Sequence, residues 1–336
     1  MDRVYATLTR VPLLKGVRKE GIKLERLGSL TNVSYKVINN GEAYVLRLPG
    51  RDTFNYIDRE AEEHNARIMT TAGINAEVLY FDREDGTMLS RFIEGISSNG
   101  KGFTRGPVAP DRAALVLRRV HSFGRVFRSR FNVFSMIDNY LGILRKLEMP
   151  LEAYYGIERE VEEVRRALEA SPVPFAPCHN DPWPGNFVDT GERLYLIDWE
   201  FSGMNDPVWD LADLSVEAGF GPAQDQIMME TYCDGAVSSA LYSRLELYKA
   251  MTDLLWTLWG FIQHANDNLV DDFRAYALRR LERCKTQMGS ADFGHHLATV
   301  RAGHRPFTPT ARCQANPKRK IPLTAHDCES KLRRSK

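Results

Sequence analysis

The chain has 336 residues, of which 43% are hydrophobic and 26% charged, with a formal net charge of +1 at pH 7. That balance describes a globular chain with ample core, and it argues against a nucleic-acid or membrane-surface protein recruited by global charge. Its five cysteines are widely spaced with no Cys-x-x-Cys pair, which points to reduced thiols rather than a disulfide framework or a zinc site.

The start, MDRVYATLTRVPLLKG, lacks the apolar stretch of a signal peptide. The most apolar run, LLWTLWGFI at 254–262, is too short to cross a bilayer. The expectation is a cytoplasmic protein with no membrane span. Residues 34–38 (SYKVI) and 44–48 (YVLRL) flank NNGE, an Asn-Gly hairpin signal between two runs rich in β-branched and aromatic residues. Residues 57–72 have helical composition and Gly73 sits where that helix would stop. EVLYFD and TMLSRFI read as a further strand pair. The stretch 95–111, dense in Gly, Ser and Pro, reads as a hinge or lobe connection.

From there to Met288 the pattern is mostly helical. A helix is expected over 111–122 with Asp111 as its cap, then over 157–170, 224–234, 243–266 and 271–285. Beyond Met288 prolines break the pattern, and ten Lys/Arg stand against three Asp/Glu. A basic, disordered tail is expected over 289–336.

The chemistry concentrates in HNDPWPGN at 179–186 and LYLIDWEFSG at 194–203. Phosphoryl transfer from ATP needs an Asp beside the attacking hydroxyl, and an Asn and a second Asp to hold the magnesium ions that bridge the phosphates. Kinase-like folds carry the first Asp and the Asn in one loop as Asp-x-x-x-x-Asn, with the second Asp beyond a short hairpin. Asp181 and Asn186 fit that loop, and the apolar run 194–197 delivers Asp198.

CHNDPWPGNFV and LIDWEFSG resemble the choline/ethanolamine kinases, members of the aminoglycoside-phosphotransferase-like kinases; the resemblance extends over roughly 27–285. It implies an α+β, two-lobed protein-kinase-like fold. An N-terminal lobe (1–94), a small antiparallel sheet with one helix, would bind ATP. A larger, mainly helical C-terminal lobe (95–288) would bind the acceptor. LGSLTNVSYKV resembles the family's nucleotide-covering turn, with Thr31 and Asn32 at its tip. YVLRLPG resembles the strand presenting a cation to the phosphates, here Arg47, and Arg donates in a fork suited to phosphate. Glu62 matches the acid that pairs with this cation, with Glu60 and Glu63 as neighbouring candidates. RFIEG resembles the segment joining the lobes, so that Phe92 and Ile93 would line the adenine slot.

The resemblance assigns structural support to His179, His121 and Asp210, the last bracing the catalytic loop, and places Glu217 facing the acceptor. LLWTLWGFIQHAN resembles the family's aromatic helix, with Trp256 and Trp259 on one face. A quaternary ammonium has no N–H to donate and is held by aromatic faces, each contributing ~0.5–2 kcal/mol. Trp256 and Trp259, with Trp199 or Tyr232 as further members, are the candidate cage, and Tyr276 is a packing partner. The implied reaction is ATP plus choline to ADP plus phosphocholine with Mg2+, by in-line transfer. Asp181 would be the catalytic base, with Asn186 and Asp198 holding metal. Ethanolamine, thiamine or an aminoglycoside are alternative acceptors, and a non-catalytic kinase-like binding module is the alternative outside enzymes. A nucleic-acid partner is not expected, and the oligomeric state is left open.

Overall fold

The computed structural model describes residues 2–28, 32–50, 53, 56–97, 109–150 and 152–303. The N-terminal lobe begins with a helix that periodicity did not single out, α1 (Asp2–Arg10). It continues with β1 (Ile22–Leu27), β2 (Val33–Asn39), β3 (Glu42–Leu48), α2 (Arg59–Thr71), β4 (Val78–Phe81) and β5 (Met88–Arg91). The strands form one antiparallel sheet in the order β1-β2-β3-β5-β4. Asn40 and Gly41 close the β2–β3 hairpin with φ of 51° and 83°, the left-handed pair that an Asn-Gly turn requires. Asp58 caps α2 by accepting from the N–H groups of Glu60 and Ala61, and Gly73 ends it at φ 64°. Val4, Leu8 and Val11 cover an apolar face built from Val37, Leu46 and Leu89.

β6 (Ile96–Ser97) already belongs to the second lobe, where it pairs with β8. That lobe comprises α3 (Pro110–His121), α4 (Val133–Lys146), α5 (Glu152–Tyr155), α6 (Glu158–Ala170), β7 (Ala176–Cys178), β8 (Phe187–Asp189), β9 (Leu194–Leu196), β10 (Gly203–Asn205), α7 (Pro207–Ala218), α8 (Pro222–Cys233), α9 (Ser239–Ala265), α10 (Phe273–Met288) and α11 (Ala291–Arg301). α9 is apolar on nearly every side and forms the axis against which α4, α7, α10 and α11 pack. No helix among the described residues is long and apolar enough to cross a membrane.

Two expectations change. Asp111 does not cap α3; the cap position is Ala109, and Asp111 lies in the first turn, where its charge faces the positive end of the helix dipole. The tail expected to be disordered from 289 begins instead with α11, whose Phe293 and Val300 are buried. Its Arg301 pairs with Glu163 on α6. Residues 304–336 and Thr31 lie outside the described residues.

Candidate active site

β7 pairs with β10 and delivers the loop that follows Cys178. Asn180 takes a left-handed φ of 68°, a conformation Asn tolerates. The loop is fixed from below by Asp210, fully buried on α7. Its Oδ2 accepts from the His179 N–H at 2.8 Å and its Oδ1 from the Asn180 N–H at 2.8 Å. His121 Nε2 lies 3.0 Å from the same Oδ2. The Asn180 side chain donates to Phe201 O at 2.9 Å and accepts from Asn205 at 2.9 Å, and its carbonyl accepts from Trp209 Nε1 at 3.1 Å.

His179 lies between the two halves of the motif. Nε2 is 2.9 Å from Ile197 O, and Nδ1 accepts from the Asp181 N–H at 3.3 Å. That pattern assigns the neutral ring with its proton on Nε2, and burial pushes the imidazole pKa down.

Asn186 closes a short turn, Pro184–Asn186. Its Nδ2 donates to Asp181 O at 3.0 Å, and Oδ1 accepts from no group among the described residues. Asp198 follows β9 at φ 67°, and Arg47 on β3 reaches it with Nη1 at 2.9 Å. Nη2 of Arg47 pairs with Glu62 on α2. Burial disfavours the charge on Arg47, but Glu62, Asp198 and Glu200 outweigh it and raise its pKa. Glu60 and Glu63 are engaged elsewhere, with Arg83.

Sequence reasoning passed over Arg59 and Glu200. Arg59 pairs with Glu62 at 2.6 Å and with Glu200 at 3.2 Å, and the same Glu200 oxygen accepts from Asn32 at 3.2 Å. Asn32 in turn accepts from the Gly50 N–H at 3.2 Å. The cationic strand, α2 and the segment after β9 thus form one buried network across the lobes. Oxygens of Glu62, Asp198 and Glu200 lie within 4.8 Å of one another. Both Glu62 oxygens are held by arginines. Asp198, Glu200 and Asn186 Oδ1 therefore remain as hard oxygen donors, the set that suits Mg2+. Burial pushes the pKa of Asp181 well up, with Asp213, Asp198, Glu217 and Glu200 adding to it; Asp198 and Glu200 are raised as well. Acids crowded this way call for cations.

Asn32, Arg47, Glu62, Asp181, Asn186, Asp198 and Glu200 line one cleft of ≈ 380 Å³ that runs from Leu27 past Asp181 to the aromatic end. Phe92 and Ile93 line it, but the Phe92 N–H is spent on Ala43 O at 3.0 Å and its ring is covered by Lys36 Nζ at 3.8 Å. At the far end Trp256 and Trp259 meet edge to face, with centroids 6.0 Å apart. Phe201 abuts Trp256 at 5.5 Å, and Tyr276 abuts Trp259 at 6.0 Å. Gly260 permits this approach of α10, since a Cβ there would lie 2.8 Å from the Tyr276 ring. Behind them Tyr56 stacks on Phe201, with centroids 6.2 Å apart. Glu217 lines the cleft and is paired with Arg280.

Trp199 borders the cleft mainly as a packing residue. It is buried, donates to Leu196 O at 3.0 Å and lies edge-on to His179 at 4.7 Å. Tyr232 is corrected out of the cage: its hydroxyl lies 2.7 Å from His121 Nδ1, in the core between α3 and α8. Phe201, Tyr56 and Asp213 were also missed. Only the Glu in Ile-Asp-Trp-Glu and the Phe after it carried a signal, through their proximity to Asp198.

The sequence profile of the choline/ethanolamine kinases matches residues 25–285, which holds every one of these groups. The chain belongs to the choline/ethanolamine kinase family. It is an ATP-dependent phosphotransferase with an alcohol acceptor. A crystal structure of a choline/ethanolamine kinase family protein from Mesorhizobium loti is 46% identical, covers 90% of this chain and 99% of that chain, and superposes with a TM-score of 0.77. Choline kinase LicA from Streptococcus pneumoniae is 26% identical over 85% of this chain and 98% of its own, with a TM-score of 0.72. LicA in complex with AMP matches at 26% identity over 84% of this chain and 97% of its own, with a TM-score of 0.70. The family match begins inside β1 and ends within α10, so α1 and α11 lie outside the matched span.

Proposed function

We propose that this kinase transfers the γ-phosphoryl group of magnesium-bound ATP to the hydroxyl of choline. The carrying observation is the acceptor end of the cleft, where Phe201, Trp256, Trp259 and Tyr276 present aromatic surface beside acidic groups. A trimethylammonium is held by such faces and diffuse negative charge. Ethanolamine would need acceptors for three N–H groups. Here the Glu217 carboxylate is engaged by Arg280, and Asp213 does not line the cleft. The choline kinase LicA among the similar structures favours the same acceptor.

In this reading Asp181 orients the choline hydroxyl and takes its proton as oxygen attacks the γ-phosphorus. The bond to the bridging oxygen of ADP then breaks, with no phospho-enzyme. Asn186, Asp198 and Glu200 would hold Mg2+, which supplies charge neutralisation on the phosphates. Arg47, oriented by Glu62, leaves Asp198 to clamp phosphate. Asn32 covers the nucleotide, and Phe92 and Ile93 flank adenine. His179 and Asp210 hold the loop in shape.

The test is turnover on choline against ethanolamine under identical conditions. A kcat/KM for choline at least roughly tenfold higher is expected, from the cation–aromatic term. A preference for ethanolamine would replace the proposed acceptor and leave the phosphotransfer machinery as described.

A further inference from the structure

The buried acids of the C-terminal lobe are almost all matched. Asp206 is bound by Arg244 and Tyr248, and Asp225 by Lys249 and Ser215. Asp253 is bound by Arg280 and Arg283, and Glu217 by Arg280. Asp210 is filled by two backbone N–H groups and His121. Asp213 differs. It is fully buried and makes no ion pair among the described residues. Its Oδ1 accepts from Trp256 Nε1 at 2.7 Å, and its Oδ2 is buried without a hydrogen-bond partner among the described residues.

A carboxylate oxygen left unanswered in the interior is costly, and a folded chain rarely keeps one without a use. Arg280, the cation that acts on Asp213, is paired with Glu217 and Asp253. Asp213 lies one helical turn before Glu217 on α7 and does not itself line the cleft. Trp256, which it holds, does.

We propose that Asp213 is the counter-charge that selects a cationic acceptor, acting through the Trp256 ring it anchors. This rests on the choline reading above. Two physical effects support it. A negative charge at the Nε1 edge of the ring, in a medium that screens poorly, attracts a quaternary ammonium resting on its face. The Nε1–H bond to the carboxylate also polarises the indole toward a more negative face, which strengthens its hold on a cation. Burial, with Glu217 adding to it, pushes the Asp213 carboxyl pKa well up, and a cation close by favours its charged form. Asp213 is therefore an electrostatic and positioning residue, and it touches neither the hydroxyl nor the phosphate.

The experiment compares choline with its neutral carbon isostere, in which carbon replaces the quaternary nitrogen, on the wild-type protein and on Asp213→Asn. The amide keeps an acceptor for Trp256 and removes the charge. Asp213→Asn is expected to raise the KM for choline roughly tenfold or more, to change kcat by less than about threefold, and to leave the KM of the isostere unchanged. An unchanged choline KM, or equal losses for both alcohols, would overturn the proposal, the second outcome marking a merely structural role. Should the variant not fold, the wild-type protein still decides: the isostere must bind roughly tenfold or more weaker than choline, and equal binding refutes the selection of charge. Wild-type turnover of choline is the control. Its absence counts against the acceptor assignment, whereas turnover that Asp213→Asn leaves untouched counts against Asp213 alone.

Discussion

Asp210→Asn isolates the support of the catalytic loop from its chemistry. In the native protein both carboxylate oxygens accept backbone N–H groups at 2.8 Å, and His121 adds a third contact at 3.0 Å. An asparagine fills the same volume but offers one carbonyl oxygen. Its NH2 must then face one of the two N–H donors, whichever way the amide turns. A buried donor left unsatisfied costs about 1–3 kcal/mol. Losing the charge on the remaining contacts costs about 1 kcal/mol each. The total is about 3–5 kcal/mol, the range found when one partner of a buried charged network is removed. Urea unfolding measures this directly. In the folded fraction the loop relaxes around Asn180, and displacement of Asp181 by an ångström lowers kcat on the order of a hundredfold. Arg47 and Glu62 do not touch Asp210, so the KM for ATP stays within a factor of about three. A variant with wild-type urea midpoint and kcat would refute the view that this carboxylate holds the loop.

Gly260→Ala places a methyl group against Tyr276 and pushes α10 away from Trp259. The KM for the acceptor is expected to rise about five- to tenfold with the KM for ATP unchanged, a split that steady-state kinetics reads. Burial raises the Asp181 pKa, and neighbouring carboxylates raise it further. The proposed base works deprotonated, so kcat/KM for the acceptor should climb with pH through a midpoint above the ordinary carboxylate range. Asp213→Asn removes one of those neighbours and should move the midpoint to lower pH. A limb at the ordinary value, or one unmoved by that substitution, would contradict the crowding of charge described here.

Much of the fold was written in short-range signals. Asn40-Gly41 specified the β2–β3 hairpin because few residue pairs accept two left-handed conformations in succession. Asp181, Asn186 and Asp198 were readable because their spacing along the chain reflects a fixed loop and hairpin. α11 was hidden by averaging: the charge and prolines of 304–336 diluted a segment whose Phe293, Leu297 and Val300 recur at helical spacing. Arg59 and Glu200 are 141 positions apart, and only the folded chain joins them. Asp213 and Trp256 are likewise 43 positions apart, on helices whose packing no local pattern reports. Tyr232 was misassigned for the same reason, since a tyrosine on a helix gives no sign of which partner its hydroxyl will meet. The rule that emerges is physical. Backbone constraints leave local marks, whereas charge pairing and aromatic convergence depend on tertiary contacts.

The central claim is that Asp181 drives phosphoryl transfer from ATP to choline in this cleft. Magnesium-dependent ADP release with choline, measured against Asp181→Asn and accompanied by phosphocholine detection, tests it most directly. The wild-type protein is expected to give stoichiometric ADP and phosphocholine and to lose both without magnesium, and turnover is expected to fall by at least about a hundredfold in the variant. Phosphocholine formation that survives Asp181→Asn, or ADP release that is indifferent to choline, would contradict it.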